Sequence, residues 1–184
     1  MECDQALVEL LQKVPGIKQI IPRGEDIPKC DYQSSLVSLT KTLGTTLETI
    51  PNLPNLGIAI ESRPQIQKIG LAVNPECKVI LVEQLGSIDN LEIIELTEGA
   101  DYAAMAESIA QLDLVIATDN PIGHLAASLG QQTWMLLEFS PHWTWLIDRT
   151  DSPWYPTAKL FRQSEAGNWE STIEDCVQVM QSTH

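Results

Sequence analysis

The sequence has 184 residues, the size of one globular domain or of one domain with a small appended lobe. Its 43% hydrophobic and 20% charged content is ordinary for a folded protein and excludes the disordered and fibrous classes. The 25 acidic residues outnumber the 11 basic ones, and the net charge of -14 opposes binding to nucleic acid or to anionic lipid surfaces. We therefore expect no nucleic-acid partner, and an anionic ligand only where local donors overcome this field.

The cysteines and the first residues bear on the compartment. Cys3, Cys30, Cys77 and Cys176 lie far apart and form no Cys-x-x-Cys pair, which favours free thiols in a reducing compartment, with disulfide or zinc roles as alternatives. The chain start lacks the basic segment of a signal peptide, and no apolar run reaches the roughly 20 residues that span a bilayer. We expect a cytoplasmic protein without a membrane span.

The first 56 residues predict a small α/β piece. Leucines at helical spacing predict a helix over residues 4–14, which Pro15 and Gly16 end, and a short apolar strand follows. Residues 36–39 are predicted to be extended and residues 40–47 to form a short helix. Two prolines and two asparagines over residues 51–55 predict a boundary. We therefore divide the chain into a piece over residues 1–56 and a lobe over residues 57–184. The short strand is predicted over residues 17–21.

The second part predicts a Rossmann-like, doubly wound α/β lobe with a mostly parallel sheet. Five short runs rich in Ile, Val and Leu lack alternation, as is typical of strands covered on both faces. Helical patterns separate or follow several of them, which favours strand–helix–strand units. The predicted strands are residues 68–73, 78–82, 91–96, 112–118 and 133–137, and the predicted helices are residues 101–111, 124–129 and 168–180.

The first two of these strands lie too close together for a parallel connection. Only residues 74–77 separate them, whereas a parallel crossover needs about a dozen residues or more. We interpret residues 68–73 and 78–82 as a hairpin or as one bent strand. The first βα unit of the lobe is therefore expected to be absent.

The candidate site follows the strand that ends at Thr118. A polar turn leads there into a helix of small residues, predicted to begin near His124. In open α/β sheets ligands bind beyond the carboxyl ends of strands, where helix N-termini present amide donors to anions. Asp119, Asn120, Gly123 and His124 occupy that position. In the alternative interpretation Asp119 or Asn120 only caps the helix, Gly123 permits a turn and His124 is a half-buried residue of the first turn.

Other residues support weaker hypotheses. Lys159 and Arg162 are either cations near an anionic ligand or part of an exposed edge strand. His142 is either a surface-loop residue or a lid contact. Arg149, next to Asp148 and Asp151, is predicted to form an ion pair or to brace the loop. No metal-ligand spacing, Gly-rich P-loop or Ser/His/Asp order is visible, so no metal or cofactor is predicted. The five tryptophans fall in the last third and form either a packed layer or a ligand cage: Trp134, Trp143, Trp145, Trp154 and Trp169.

Several motifs resemble one family of enzymes. Residues 113–116 read Asp-Leu-Val-Ile, residues 119–130 contain Asp-x-x-x-x-His-Leu-Ala-x-x-Leu-Gly, and residues 133–137 contain Trp-x-Leu-Leu. Together they resemble the donor-binding lobe of heptosyltransferase-like (family 9) glycosyltransferases and the glycosyltransferase-like region that follows tetratricopeptide repeats in many bacterial proteins. The tail of that repeat-associated group is similar to residues 143–163 here, with Ser-Pro-Trp-Tyr-Pro and Leu-Phe-Arg-Gln. Residues 10–16 and 43–51 resemble the end of the family's acceptor lobe.

The resemblance implies a nucleotide-sugar ligand and, if the chain is active, metal-independent transfer of a hexosyl or heptosyl group. It assigns residues 1–56 to a remnant of the acceptor lobe and residues 57–184 to a shortened donor lobe. Asp119 and Asn120 would lie near the sugar or phosphate, and His124 and the amides around Gly123 would face the diphosphate. Lys159 and Arg162 would be accessory cations, and no catalytic base is identified.

A non-catalytic relative is the alternative interpretation. Asn120 stands where the family usually has threonine, and Pro121 removes one backbone amide from the helix start. Such a relative would serve as a structural or protein-interaction module. In one variant it forms a homodimer through the sheet edge that an absent βα unit would leave exposed.

Overall fold

The computed structural model describes residues 1–51, 53–54, 56–61, 63, 65–99 and 101–183. A parallel five-stranded sheet forms its centre, and helices cover both faces. The strands are β3 (Lys68–Ala72), β4 (Glu92–Glu95), β5 (Leu114–Thr118), β6 (Thr133–Leu137) and β7 (Ala158–Arg162). Their order in the sheet is β4-β3-β5-β6-β7. The predicted Rossmann-like, doubly wound α/β class is confirmed.

The other elements surround this sheet. Two short strands, β1 (Glu2–Cys3) and β2 (Ile21–Pro22), pair in parallel near the N-terminus. The helices are α1 (Val8–Gln12), α2 (Leu36–Thr42), α3 (Pro75–Leu85), α4 (Tyr102–Ile109), α5 (Pro121–Ser128) and α6 (Trp169–Thr183). Single 3-10 turns are present at Gln5–Leu7, Leu47–Thr49 and Trp143–Trp145. In the described part of the chain, none of the helices has both the length and the apolar composition needed to cross a bilayer.

The N-terminal predictions are partly confirmed. The predicted helix over residues 4–14 is a 3-10 turn followed by α1, and the predicted strand over residues 17–21 contributes only Ile21 to β2. The extended structure predicted for residues 36–39 is wrong, because the Ser35 hydroxyl accepts a hydrogen bond from the Ser38 amide and starts α2 there. The helix predicted over residues 40–47 is also incorrect in its bounds, since α2 ends at Thr42. Of the predicted boundary over residues 51–55, Asn52 and Asn55 lie outside the described residues.

Residues 78–82 lie within α3, so the strand predicted there and the missing βα unit are both wrong. Asn74 caps α3 by accepting a hydrogen bond from the Cys77 amide at 2.8 Å, and Pro75 occupies the first helical position. The β-branched residues in this run favour a strand by their local propensity. The run forms a helix because the helix buries one of its faces against the sheet. The buried residues of that face are spaced four residues apart: Cys77, Leu81 and Leu85. The helix α3 supplies the crossover from β3 to β4. No βα unit is therefore absent there, and the exposed sheet edge on which the homodimer variant was based has no support.

Two apolar layers hold the sheet between the helices. Because successive strand residues point to opposite faces, Leu136 packs with α3 and α6 whereas Leu137 packs with α1, α4 and α5. Leu10 of α1 and Leu56 are buried in the second layer. The N-terminal segment (residues 1–56) therefore shares its core with the lobe, and α1 packs against α4.

Candidate functional site

Asn120 lies where the strand order of the sheet changes direction. The chain passes from β3 outward to β4 and returns to β5 on the other side of β3, and ligands of open α/β sheets bind at such a junction. The Asn120 side-chain amide donates to the Ala72 carbonyl at the end of β3, and its oxygen accepts from the Gly123 amide at 3.0 Å. Asn120 thus caps α5 and links the ends of the two central strands.

The first turn of α5 uses most of its amides within the protein. The helix begins at Pro121, three residues before the predicted start near His124, and proline has no amide to offer. The Gly123 amide is bonded to the Asn120 side chain, and the His124 amide donates to the Asn120 carbonyl at 3.2 Å. Of the amides that the resemblance assigns to a diphosphate, those of Gly123 and His124 are therefore occupied.

Gly123 is helical and buried, so the turn that one interpretation assigned to it is not present. A Cβ atom at this position would lie 2.8 Å from the Cβ of Ala117 and 3.0 Å from the Cε of Met135. The absence of a side chain at Gly123 therefore lets α5 approach the sheet closely. This contact sets the position of the helix end that carries the candidate site.

His124 is held by contacts on both of its ring nitrogens. Nε2 lies 3.0 Å from Asp119 Oδ1, and Nδ1 lies 2.9 Å from the Tyr155 hydroxyl. The imidazole also stacks on the indole of Trp145, with ring centroids 5.1 Å apart. Burial raises the pKa of Tyr155, the Asp119 charge adds to that rise, and a hydrogen bond with Ser128 opposes it. Asp119, His124 and Tyr155 thus form one hydrogen-bonded chain beside the start of α5.

A cavity of about 620 Å³, here called the cleft, lies between the N-terminal segment and the α5 side of the lobe. His124 and Ser128 form part of its wall, and its size is that of ordinary small-molecule sites. Most of its lining is apolar or aromatic, with hydroxyl groups at intervals. Among the described residues that line it there is no carboxylate, lysine or arginine. The opposite wall comes from the N-terminal segment and includes Leu36, Val37, Thr40, Leu43, Thr45 and Ile50.

The tryptophans fall into two groups: some belong to a packed layer and others line the cleft, and the sequence had suggested each of these roles. Trp134 and Trp169 are buried in the α3 and α6 layer, whereas Trp143, Trp145 and Trp154 line the cleft. The Trp143 side chain is 61% exposed. The Trp145 indole is fully buried, and its Nε1 has no hydrogen-bond partner among the described residues. The cleft therefore combines a packed aromatic wall with one exposed indole.

His142 is exposed and also lines the cleft, so it has features of both roles considered for it. Its Nδ1 lies 2.9 Å from the Thr144 hydroxyl, and its ring lies beside that of Trp143 with centroids 5.4 Å apart. These contacts place His142 at the mouth of the cleft.

Arg162 supports the aromatic wall of the cleft through hydrogen bonds to the backbone of the turn that carries Trp145. Its guanidinium donates to the Trp145 carbonyl at 2.6 Å and to the Arg149 carbonyl at 3.0 Å. It therefore holds the turn that carries Trp145 and does not line the cleft. Arg149 forms the predicted ion pair, with Asp151, at 2.7 Å.

Lys159 lies on the edge strand β7, as one of its two interpretations predicts. Its ammonium group lies 5.4 Å from the Phe161 ring centroid and 6.0 Å from that of Trp134, on the α6 side of the sheet. The structure thus brings Asp119, Asn120, Gly123 and His124 together but leaves Lys159 elsewhere.

No protein-family model, curated protein or solved structure matches this chain. Its fold is that of a Rossmann-like, doubly wound α/β protein. All four cysteines are free, and within the described residues no three His, Cys, Asp or Glu side chains are grouped as a metal site. Sequence reasoning missed Tyr155, Ser128 and the α2 wall; exposed apolar residues on α2 are a signal that is visible only in the structure.

Proposed function

We propose that this chain is a glycosyltransferase-like protein whose cleft binds the sugar and nucleoside parts of a nucleotide sugar, without transferring the sugar by itself. The observation that carries this proposal is the position of the cleft, between the N-terminal segment and the end of α5 that holds His124. The sequence resemblance assigns a donor to this helix end. The cleft volume of about 620 Å³ suits a ligand of this size.

The chemistry of the wall favours neutral rings. Trp143 presents an exposed indole to the cleft, and hydroxyl groups of Thr45, Ser128 and Thr144 stand around it. Aromatic faces stack on nucleobases, and hydroxyl groups orient a bound polar ring. A diphosphate has no facing lysine or arginine among the described lining residues, and the net charge of -14 repels it. The proposal therefore leaves the diphosphate at the cleft mouth, in contact with solvent.

The same wall is poorly equipped for transfer. A transferase needs a base that removes the proton of the acceptor hydroxyl. No carboxylate lines the described part of the cleft, and both ring nitrogens of His124 are bonded to Asp119 and Tyr155. His142 is exposed at the mouth and bonded to Thr144. For this reason we propose that the chain binds a nucleotide sugar but does not transfer its sugar.

Calorimetry on the full chain tests the proposal with uridine, adenosine and guanosine diphosphate sugars, the three nucleosides and inorganic pyrophosphate. We expect a nucleotide sugar and its nucleoside to bind and pyrophosphate to give no heat. Trp143→Ala removes an exposed stacking surface and is expected to weaken binding about tenfold. Phe139→Ala is the matched control, because Phe139 is 58% exposed but lies outside the cleft lining. The proposal fails if no member of the panel binds, or if both variants bind as the wild type does.

The alternative function, a protein-interaction module, is favoured by one observation. None of the α2 residues is buried, and three apolar side chains at the cleft rim are more than half exposed: Leu36 (64%), Val37 (70%) and Leu43 (75%). Such a surface is typical of a contact site. Light scattering on wild type and on Val37→Ser tests self-association: a mass that rises with concentration only in the wild type supports it, and a constant monomer mass contradicts it.

A further inference from the structure

A second pocket, here called the edge pocket, lies between β7 and α6 and has a volume of about 500 Å³. Among the described residues, none lines both the edge pocket and the cleft. Three basic side chains, Arg149, Lys159 and Arg162, line the edge pocket, against one carboxylate, that of Asp175. In a chain with 25 acidic and 11 basic residues, the charge balance is locally reversed.

The cations of the edge pocket differ in how far they are already neutralised. Arg149 is bonded through two nitrogens to the carboxylate of Asp151. Arg162 uses Nε and Nη2 for two backbone carbonyls, and neither acceptor carries a full charge. Lys159 has no carboxylate within 4.0 Å in the described part of the chain. Arg162 is thus committed to the turn that carries Trp145, and Lys159 keeps most of its charge for a ligand.

The floor of the edge pocket is apolar. The almost fully buried Phe161 side chain contributes to it on the α6 side of the sheet, and Val179 of α6 lies beside it. The Lys159 ammonium group stands over the Phe161 ring, at the border between this floor and solvent. A cation beside an apolar surface matches a ligand that has one acidic group and one apolar body, because each part then meets its own complement.

We propose that the edge pocket binds a small organic anion, with its acidic group facing Lys159 and its apolar body over Phe161 and Val179. The site is separate from the cleft and does not depend on what the cleft binds. Its affinity falls with added salt, because the charges are close to the surface.

Phenyl phosphate is the probe for this site, added to the full chain and followed by calorimetry and by amide chemical shifts. We expect shifts in β7 and in the second half of α6, and none at His124. Lys159→Gln is expected to weaken binding about tenfold. Asp175→Asn is expected to tighten it, because it removes the carboxylate that faces the anion. Lys68→Gln is the matched control, because Lys68 pairs with Glu92 of β4, the edge strand at the opposite end of the sheet from β7.

Several results would overturn the proposal. They are no binding of phenyl phosphate, binding that Lys159→Gln leaves unchanged, and equal losses in Lys159→Gln and Lys68→Gln. Inorganic phosphate that binds as tightly as phenyl phosphate would contradict the role of the apolar floor. Shifts confined to the cleft would also contradict it. A failure of nucleotide sugars to bind leaves these readouts unaffected, so the two proposals fail independently.

Discussion

The imidazole of His124 stacks on the buried indole of Trp145, with 5.1 Å between the ring centroids and 21° between the ring planes. Trp145 fixes the ring from one side, while Asp119 and Tyr155 fix its two nitrogens. The His124 side chain nevertheless remains 37% exposed. The His124 ring therefore faces the cleft in a fixed orientation. Both of its nitrogens already have hydrogen-bond partners and are poorly placed to bond a ligand.

The first prediction concerns the proton on neutral His124. An ionised Asp119 only accepts hydrogen bonds, so Nε2 must donate to it and Nδ1 must accept from the Tyr155 hydroxyl. We expect long-range proton–nitrogen NMR to show a protonated Nε2 and an unprotonated Nδ1. Tyr155→Phe should preserve this tautomer, because the carboxylate still sets it. A proton found on Nδ1 in the wild type would contradict this hydrogen-bond assignment.

The second prediction concerns the contact between α5 and the sheet. Gly123→Ala places a methyl group 2.8 Å from the Cβ of Ala117, so either the helix or the strand must move. Overpacking of this kind lowers the free energy of unfolding by about 1–3 kcal/mol. Gly99→Ala is the control, since a Cβ there meets nothing within 4 Å. Urea denaturation of the two variants measures the difference, and equal stabilities would show that α5 adjusts without cost.

The helix starts show which parts of the fold the sequence specifies locally. Asn74-Pro75 and Asn120-Pro121 both place an asparagine cap before a proline at the first helical position. That pair of residues marks both helix starts, although the apolar pattern of the sequence predicts a strand after Asn74 and a helix that begins near His124. Apolar runs predict β3, β5 and β6 well, because these central strands are buried on both faces.

The candidate site was only partly predictable, for a physical reason. Asp119, Asn120, Gly123 and His124 adjoin one strand end, and the general rule for open α/β sheets identifies that position. Tyr155 reaches His124 across 31 positions of the chain. Contacts of this kind depend on tertiary packing, which no local pattern encodes. The cleft also depends on how the N-terminal segment packs, and for the same reason it was not predicted.

The third prediction concerns acid stability. Burial raises the pKa of Asp113, but hydrogen bonds from the Gln67 and Lys68 amides and from Arg63 outweigh burial, and the net pKa is lowered. A lowered pKa in the folded state means that the carboxylate stabilises the protein above its unfolded pKa, near 3.9. This contribution is lost as pH falls through the folded value.

Asp113→Asn tests this dependence. It leaves buried donors without a carboxylate and should cost about 2 kcal/mol of unfolding free energy near neutral pH. Because the wild type loses its advantage in acid, the gap between the two proteins should narrow as pH falls below about 4. Denaturant titrations at neutral and acidic pH measure the gap, and a constant gap would contradict the assigned role of Asp113.

The fourth prediction concerns thiol reactivity. Burial raises the pKa of Cys77 to about 12, and the charge of Glu76 adds to the rise. Burial likewise raises the pKa of Cys176 well above its usual range. Since the thiolate is the reactive form, iodoacetamide at neutral pH should modify exposed Cys30 and spare Cys77 and Cys176 until the protein unfolds. Peptide mass spectrometry reads out each site, and rapid native labelling of Cys77 would contradict the buried α3 stripe.

The last prediction concerns the turn after Trp145. Leu146 and Asp148 adopt positive φ angles of 56° and 55°, a conformation that costs non-glycine residues about 1–3 kcal/mol each. The guanidinium of Arg162 donates to the carbonyls of Trp145 and Arg149, on either side of these residues, and thereby holds the turn. Arg162→Met keeps an unbranched apolar stem like that of arginine but removes both donors. We expect it to lower the free energy of unfolding by about 2 kcal/mol and to shift the NMR resonances of the Trp145 indole.

Arg149→Met is the matched control for this variant. Arg149 lies in the same turn, but its guanidinium pairs with Asp151 at an exposed site, where such pairs contribute little. We expect little change in stability and an unshifted Trp145 resonance. Because His124 stacks on Trp145, loosening the turn in Arg162→Met should also change the His124 signals, although Arg162 does not line the cleft. Equal effects of the two variants would show that the turn holds its conformation without Arg162.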